Sequence, residues 1–481
     1  MTGQPGDPGL SRRPWAVGPL LLTLACSGAT ESPVESAPRP TNVIMIVVDT
    51  LRADRLGARG YPRAVTPNLD RLVAESAFFD QAYSATSWTM PSLASYMTGV
   101  YPSVHGLLKA PHDVDQNALP DEFITLAEAL RNAGMRTAAI TAQPWISQRT
   151  GLTQGFDEVR TVSDAADPHE ARELTFALIE WLEQNRAAPF FLYAHYMGPH
   201  APYNAPEPYR GRYTRDLQLT DVVRGFHEAY ATSNQVQAYA EITGIAEEDG
   251  LSRQDVAYLT AEYDEKVAFT DAQLGVLFVW LRESGLLDET LLIVTADHGE
   301  AFFEHRTIFH GQNLHQELLH VPLILRLPGE GATARRIHRV AELIDIYPTI
   351  LALLDEAPQS HIQGRSLLPL LQGGAGDGIA LGECFGFRVT TDGWSSYHDY
   401  IPNPEDEGAI GTRALYDLVS DPLEQRELSA TRPDVVERHQ QRARQLWIEM
   451  GRSAEFWQAQ VDPARIDDEA ERRLRSLGYL R

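Results

Sequence analysis

Cysteine is nearly absent: the 481-residue chain has two, Cys26 and Cys384. That excludes a disulfide scaffold and a cysteine-rich zinc site. Basic charge is also scarce. Lys and Arg number 41 against 66 Asp and Glu, a formal net charge of −25. No basic patch interrupts the acidic balance, so phosphate backbones are repelled and nucleic acid is not expected as a partner. Long hydrophobic runs are missing too. The apolar stretch Pro14 to Ala25 is shorter than the ~20 residues that a bilayer-spanning helix needs. There is no HExxH zinc helix, no GxxxxGK[ST] phosphate loop and no internal repeat.

What is present starts with an export signal. Arg12 and Arg13 precede the short apolar run, and Leu24-Ala25-Cys26 closes it. This end resembles the bacterial lipoprotein cleavage box, with Thr23 standing where an aliphatic residue is usual. A lipidated Cys26 would anchor the protein in the cell envelope and leave Cys384 alone. Without lipidation the same segment implies ordinary secretion. Residues 27–41 are rich in Ser, Pro and Glu and read as a flexible tether.

The folded chain begins at Asn42. Val43 to Val48 (VIMIVV) is a continuous apolar run, the pattern of a parallel strand buried on both faces. Leu291 to Ala296 (LLIVTA) repeats that pattern. Further strands are expected at Arg136 to Thr141, Phe190 to Ala194 and Val321 to Arg326. Helices are expected over Leu69 to Ala77, Pro91 to Thr98, Thr125 to Ala133, Ala171 to Asn185 and Val256 to Ser284. Strands alternating with helices predict an α/β fold: a large, mainly parallel sheet with helices on both faces. Pro202 to Leu251 reads as a polar, aperiodic insertion. After the flexible joint Gly373 to Gly378, short strands and a helix from Pro433 to Met450 predict a smaller C-terminal α+β subdomain. The expected division is a signal at 1–26, a linker at 27–41, a catalytic domain at 42–372 and a subdomain with tail at 379–481.

Both apolar strands end in acids, Asp49 and Asp297, the latter followed by His298 and Gly299. Ligands in open α/β sheets bind at the carboxyl ends of strands, so these residues can converge on one cation. Oxygen ligands with one histidine suit Ca²⁺, Mg²⁺ or Mn²⁺, and Zn²⁺ is also admissible. Taken singly, each acid could equally cap the next turn. In Thr89-Met90-Pro91-Ser92, Pro91 suits the first turn of a helix and puts Thr89 at its N-terminus. A hydroxyl there, beside a divalent metal, becomes a nucleophile; the plain alternative is a threonine N-cap. His195 and His200 flank a strand end. His305, His310, His315 and His320 follow Asp297, and those that face the metal could bind an oxyanion or protonate a leaving group.

These pieces resemble the sulfatase family within the alkaline phosphatase superfamily. The resemblance is carried, in family order, by NVIMIVVDTLRADRLGARGYPRAVTPNLDRL, TMPSLASYMTGVYPSVHG, YAHYMGPHAPY, TADHGEAFFEH with HGQNLHQELLHVPLILRLPG, ELIDIYPTILALL, QGRSLLPLLQG and ALYDLVSDPLEQREL. It implies one divalent metal held by Asp49, Asp297 and His298, with Thr89 at the nucleophile position and also facing the metal. It implies that His200 is the substrate histidine of the P-H-x-P segment. His310 stands where the family has a lysine, 13 residues after Asp297. Two departures matter. Thr89 replaces the cysteine or serine that becomes formylglycine, so that cofactor is not expected, and Leu93 replaces the motif's arginine. The Lys-Trp-His segment of many sulfatase sites has no counterpart; Ala142-Gln143-Pro144-Trp145 stands there. The cationic pocket is thus reduced, which suits a singly ionised sulfate ester or phosphodiester better than a dianionic phosphate monoester. The expected function is a metal-dependent hydrolase of sulfate or phosphate/phosphonate esters, acting on a small-molecule, glycan or lipid ester. The alternatives are a phosphoethanolamine-type transferase and a catalytically degenerate binding protein.

Overall fold

Asn42–Val48 forms strand β1, and every one of its side chains is buried. Each large apolar side chain removed from water there contributes ~1.5–3 kcal/mol, which fixes this strand at the centre of the sheet. The structure is a computed structural model. It describes residues 38–456, apart from 108–117, 163–165, 232–241, 247–249, 330–333, 399–411 and the single positions 377, 385 and 392. The export signal, Cys26, the tether up to residue 37 and the tail from 457 lie outside the described residues.

The main sheet uses β1 with β2 (Ala77–Tyr83), β3 (Arg136–Thr141), β4 (Glu158–Thr161), β5 (Phe190–Tyr196) and β6 (Thr290–Thr295). A two-residue pair, β7 (Ala301–Phe302) and β8 (Ile308–Phe309), forms its own small ladder, and β9 (His320–Arg326) and β10 (Arg335–Glu342) complete the main sheet. The eight strands run in the order β10-β2-β9-β6-β1-β5-β3-β4. Only β9 pairs antiparallel with its neighbours, so the sheet is mainly parallel, as expected. Helices Leu126–Asn132 and Glu170–Asn185 pack on β3 and β5. The 31-residue helix Arg253–Glu283 packs beside Glu170–Asn185 and starts from a capping box at Ser252 and Asp255.

A second sheet follows: β11 (Ile379–Glu383), β12 (Phe387–Thr391), β13 (Trp394–His398) and β14 (Thr412–Asp417), all antiparallel. Helix Pro433–Phe456 packs on it. This is the smaller C-terminal α+β unit. Among the described residues no helix is long and apolar enough to cross a membrane.

The stretch read as an aperiodic insertion contains a helix, Asp221–Ala231, that buries Val223, Phe226 and Tyr230. Their i, i+3, i+7 spacing is the helical signal that the polar composition hid. The helix expected over Leu69 to Ala77 ends at Val73, and Ala77 opens β2.

Candidate active site

β1 lies between β6 and β5 in parallel register, with Val47 opposite both Thr295 and His195. Asp49 and Asp297 each stand two residues beyond that row, so the topology brings both acids to one sheet edge. The loop after β1 is strained to hold them. Thr50 has φ 58°, a left-handed conformation costing about 1–3 kcal/mol for a β-branched residue. It is held by three bonds: its N–H donates to Asp297 Oδ1 (3.2 Å), its hydroxyl to the Asp49 carbonyl (2.7 Å), and its carbonyl accepts from Tyr263 (2.8 Å). After β6, Gly299 passes so close to the Glu317 carbonyl that a methyl group would overlap it.

Thr89 enters on helix Thr89–Thr98, which is buried along its whole length and closed by Gly99 in the left-handed conformation. The N-cap is Trp88, with no side-chain cap bond. Thr89 is therefore the first helical residue, not a threonine N-cap. Ser92, one turn on, donates its hydroxyl to the Asp297 carbonyl at 2.7 Å and ties the helix to the strand that carries the second acid.

Asp49, Asp297 and His298 are fully buried, and one ligand atom of each lies within 4.8 Å of the others. Asp49 Oδ1 and Asp297 Oδ2 are buried with no hydrogen-bond partner. His298 Nδ1 faces the Gly299 carbonyl at 2.9 Å, which can only accept, so Nε2 carries the lone pair. Thr89 Oγ1 lies 3.1 Å from that Nε2. Two orphaned carboxylate oxygens and one imidazole lone pair, out of water, form a donor set that fits a divalent cation. Burial, and then the neighbouring Asp297 carboxylate, push Asp49 well above the usual carboxylate range.

The other histidines divide. The His310 ring lies 4.5 Å from His298, tilted, and 5.0 Å from His200, edge-on, centroid to centroid, so both reach the site. His310 Nδ1 meets Glu300 Oε1 at 2.9 Å, and His200 Nδ1 faces the Ala201 carbonyl at 2.6 Å. Burial pushes His200 down to about 3 and His310 down to about 4, so both rings are neutral at pH 7. Burial pushes Glu300 up to about 7. His305 and His315 stack on each other and bond to Glu317 and Glu424. His320 stacks on Tyr83.

Three further residues join the site, of which sequence reasoning named His195 only as a histidine at a strand end and Gln143 only within its segment, and missed Glu300. Gln143 Nε2 donates to Asp49 Oδ2 at 2.8 Å, His195 Nε2 lies 3.4 Å from the same oxygen, and Glu300 supports His310. Glu300 had a signal, its place beside His298 and Gly299. Gln143 had a weak one, its place in the segment Ala142-Gln143-Pro144-Trp145, but only the fold brings it to Asp49.

Comparison with known proteins identifies the family. The profile of the Sulfatase family matches residues 41–356. The multifunctional alkaline phosphatase superfamily protein PehA of Trinickia caryophylli is 28% identical over 408 residues, covering 69% of this chain and 77% of its own. The ulvan-active sulfatase of Formosa agariphila is 26% identical over 395 residues, covering 75% of this chain and 71% of its own. The crystal structure of a phosphonate monoester hydrolase of Agrobacterium radiobacter superposes with a TM-score of 0.67 at 22% identity, covering 86% of this chain and 96% of that one, and shares the fold. The match spans more than half of the sequence, and the chain belongs to the sulfatase family of ester hydrolases.

Proposed function

We propose that the protein hydrolyses sulfate or phosphate/phosphonate esters with Thr89 as nucleophile beside one divalent ion held by Asp49, Asp297 and His298. The observation that carries this is the Thr89 hydroxyl 3.1 Å from His298 Nε2, at the edge of a buried two-carboxylate cluster. When bound, the ion would lower the pKa of the hydroxyl and share charge with the transferring oxygens.

The chain's own residues supply the rest. Thr89 sits in the first turn of a helix, whose positive end favours an oxyanion. Its Oγ1 gives up its proton to solvent and attacks sulfur or phosphorus, the bond to the leaving oxygen breaks, and the transferred group is left as a Thr89 ester. His200 and His310 flank the transferred oxygens. The His310–Glu300 pair holds a proton across its 2.9 Å contact and delivers it to the leaving oxygen. Water then cleaves the ester and restores the hydroxyl. Threonine carries a methyl on Cβ and cannot become formylglycine, so the cycle runs on the encoded side chain.

Arg52 adds no free charge to the site. Its guanidinium is buried and bound to Asp54 and Glu304. A monoanionic ester is therefore the better electrostatic match. The similar proteins include an ulvan-active sulfatase and a phosphonate monoester hydrolase, which supports a sulfate or phosphonate ester as substrate. Export, with lipidation at Cys26, would place the enzyme in the cell envelope. The test is hydrolysis of an aryl sulfate, an aryl phosphodiester and an aryl phosphonate monoester, each with Ca²⁺, Mg²⁺, Mn²⁺ and Zn²⁺. Ion-dependent turnover of at least one is expected. Turnover unaffected by chelation contradicts the reading.

A further inference from the structure

A chain of buried polar groups runs from the nucleophile helix to the first acid. The Tyr96 hydroxyl, on helix Thr89–Thr98, lies 2.7 Å from the Tyr193 hydroxyl. The Tyr193 hydroxyl lies 2.8 Å from His195 Nδ1. His195 Nε2 lies 3.4 Å from Asp49 Oδ2. Tyr96, Tyr193, His195 and Asp49 are all fully buried. His195 Nε2 has no other partner, and at 3.4 Å it makes a charge–dipole contact rather than a finished hydrogen bond.

The two oxygens of Asp49 are not equivalent. Oδ2 takes the Gln143 amide at 2.8 Å and faces His195. Oδ1 has no hydrogen-bond partner and is the oxygen on the His298 side, 3.9 Å from Nε2. A neutral imidazole has one proton to place. On Nδ1, it would leave the Nε2 lone pair pointing at a carboxylate oxygen. On Nε2, it completes one consistent direction of donors: Tyr96 to Tyr193, Tyr193 to His195 Nδ1, and His195 Nε2 to Asp49 Oδ2.

We propose that His195, its tautomer set by Tyr193 and Tyr96, is a positioning residue that with Gln143 occupies Asp49 Oδ2 and so presents Oδ1 alone to the ion. This rests on the metal site proposed above and gives that site an outer layer. Hydrogen bonds to metal-ligating side chains typically govern affinity by 10- to 100-fold. The same chain joins the helix of Thr89 to the ligand Asp49, so nucleophile and ion are placed by one framework.

The test is the affinity of the full chain for Mn²⁺ and for Ca²⁺, read by competition with a chromophoric chelator, not by activity. Tyr193→Phe removes one oxygen and keeps the ring. His195→Ala removes the donor. His195→Gln restores an N–H near the Nε2 position. Expected are 10- to 100-fold weaker binding in Tyr193→Phe and His195→Ala and recovery of much of the loss in His195→Gln. If His195→Ala fails to fold, Tyr193→Phe and His195→Gln decide. Wild-type binding with unchanged affinity in the variants overturns the positioning role alone. A wild type that binds neither ion overturns the metal site and this inference with it.

Discussion

Asp49→Asn should make the ion-free protein more stable and the ion-loaded protein impossible to form. The candidate ligand oxygens of Asp49 and Asp297 lie within 4.8 Å of each other and are fully buried. At an effective dielectric of about 20, two unit charges at that distance repel by about 3.5 kcal/mol. Burial, and then the Asp297 carboxylate, raise the Asp49 pKa, so its charge is costly in the ion-free protein. Asparagine keeps the acceptor for Gln143 and carries no charge, so the expected gain near neutral pH is ~1–3 kcal/mol. The sign follows from linkage. A carboxyl whose folded pKa is raised costs stability as pH climbs through that pKa, and Asp49→Asn removes the loss. Ion binding acts the other way. At an ion concentration 100 times its Kd the wild type should gain about 2.7 kcal/mol. The assay is denaturant unfolding with chelator and with Mn²⁺, from pH 5 to 8. Asp49→Asn should unfold later than wild type in chelator and show no response to Mn²⁺. A variant that is less stable in chelator, or that still responds to Mn²⁺, refutes the reasoning.

Other outcomes follow from single contacts. Ser92→Ala removes the bond to the Asp297 carbonyl and should cost ~1–3 kcal/mol, measured by denaturant unfolding, with weaker Mn²⁺ binding in the same sample. Gly299→Ala drives a methyl group into the Glu317 carbonyl and should cost at least ~1–3 kcal/mol or abolish ion binding, read by thermal melting and Mn²⁺ titration. Burial pushes Glu383 up to about 7 while it accepts two bonds from Ser103. Wild-type stability should therefore fall as pH rises from about 4.5 to 7, at up to about 1.4 kcal/mol per pH unit. Glu383→Gln should flatten that slope in urea unfolding series run across the same range.

Much of this was legible in the chain because burial wrote it into local pattern. VIMIVV and LLIVTA are unbroken apolar runs because β1 and β6 are covered on both faces, and their terminal acids marked the sheet edge. Other strands carried no such mark. β2 (AFFDQAY) is interrupted by Asp80 and Gln81, and Asp80 is spent on Arg59, Arg336 and His338. β10 (RRIHRVAE) is rich in charge because it is an edge strand with its arginines outward. In the site, Asp49, Thr89, Asp297 and His298 fall together because motif and strand end coincide. The sequence marks His195 only as a histidine at a strand end and Gln143 only by its segment. Their roles arise from neighbours 146 and 94 residues away in sequence, set by strand register and by a hydrogen bond across the sheet.

The central claim is that the encoded threonine performs the chemistry, and Thr89→Ala tests it most directly. Turnover of the preferred ester should be measured in wild type and variant at saturating ion, with Mn²⁺ affinity determined on both. Thr89→Ala should still fold and bind the ion, while kcat drops by several orders of magnitude to the level of ion-bound background. A variant that keeps full ion-dependent turnover would contradict it.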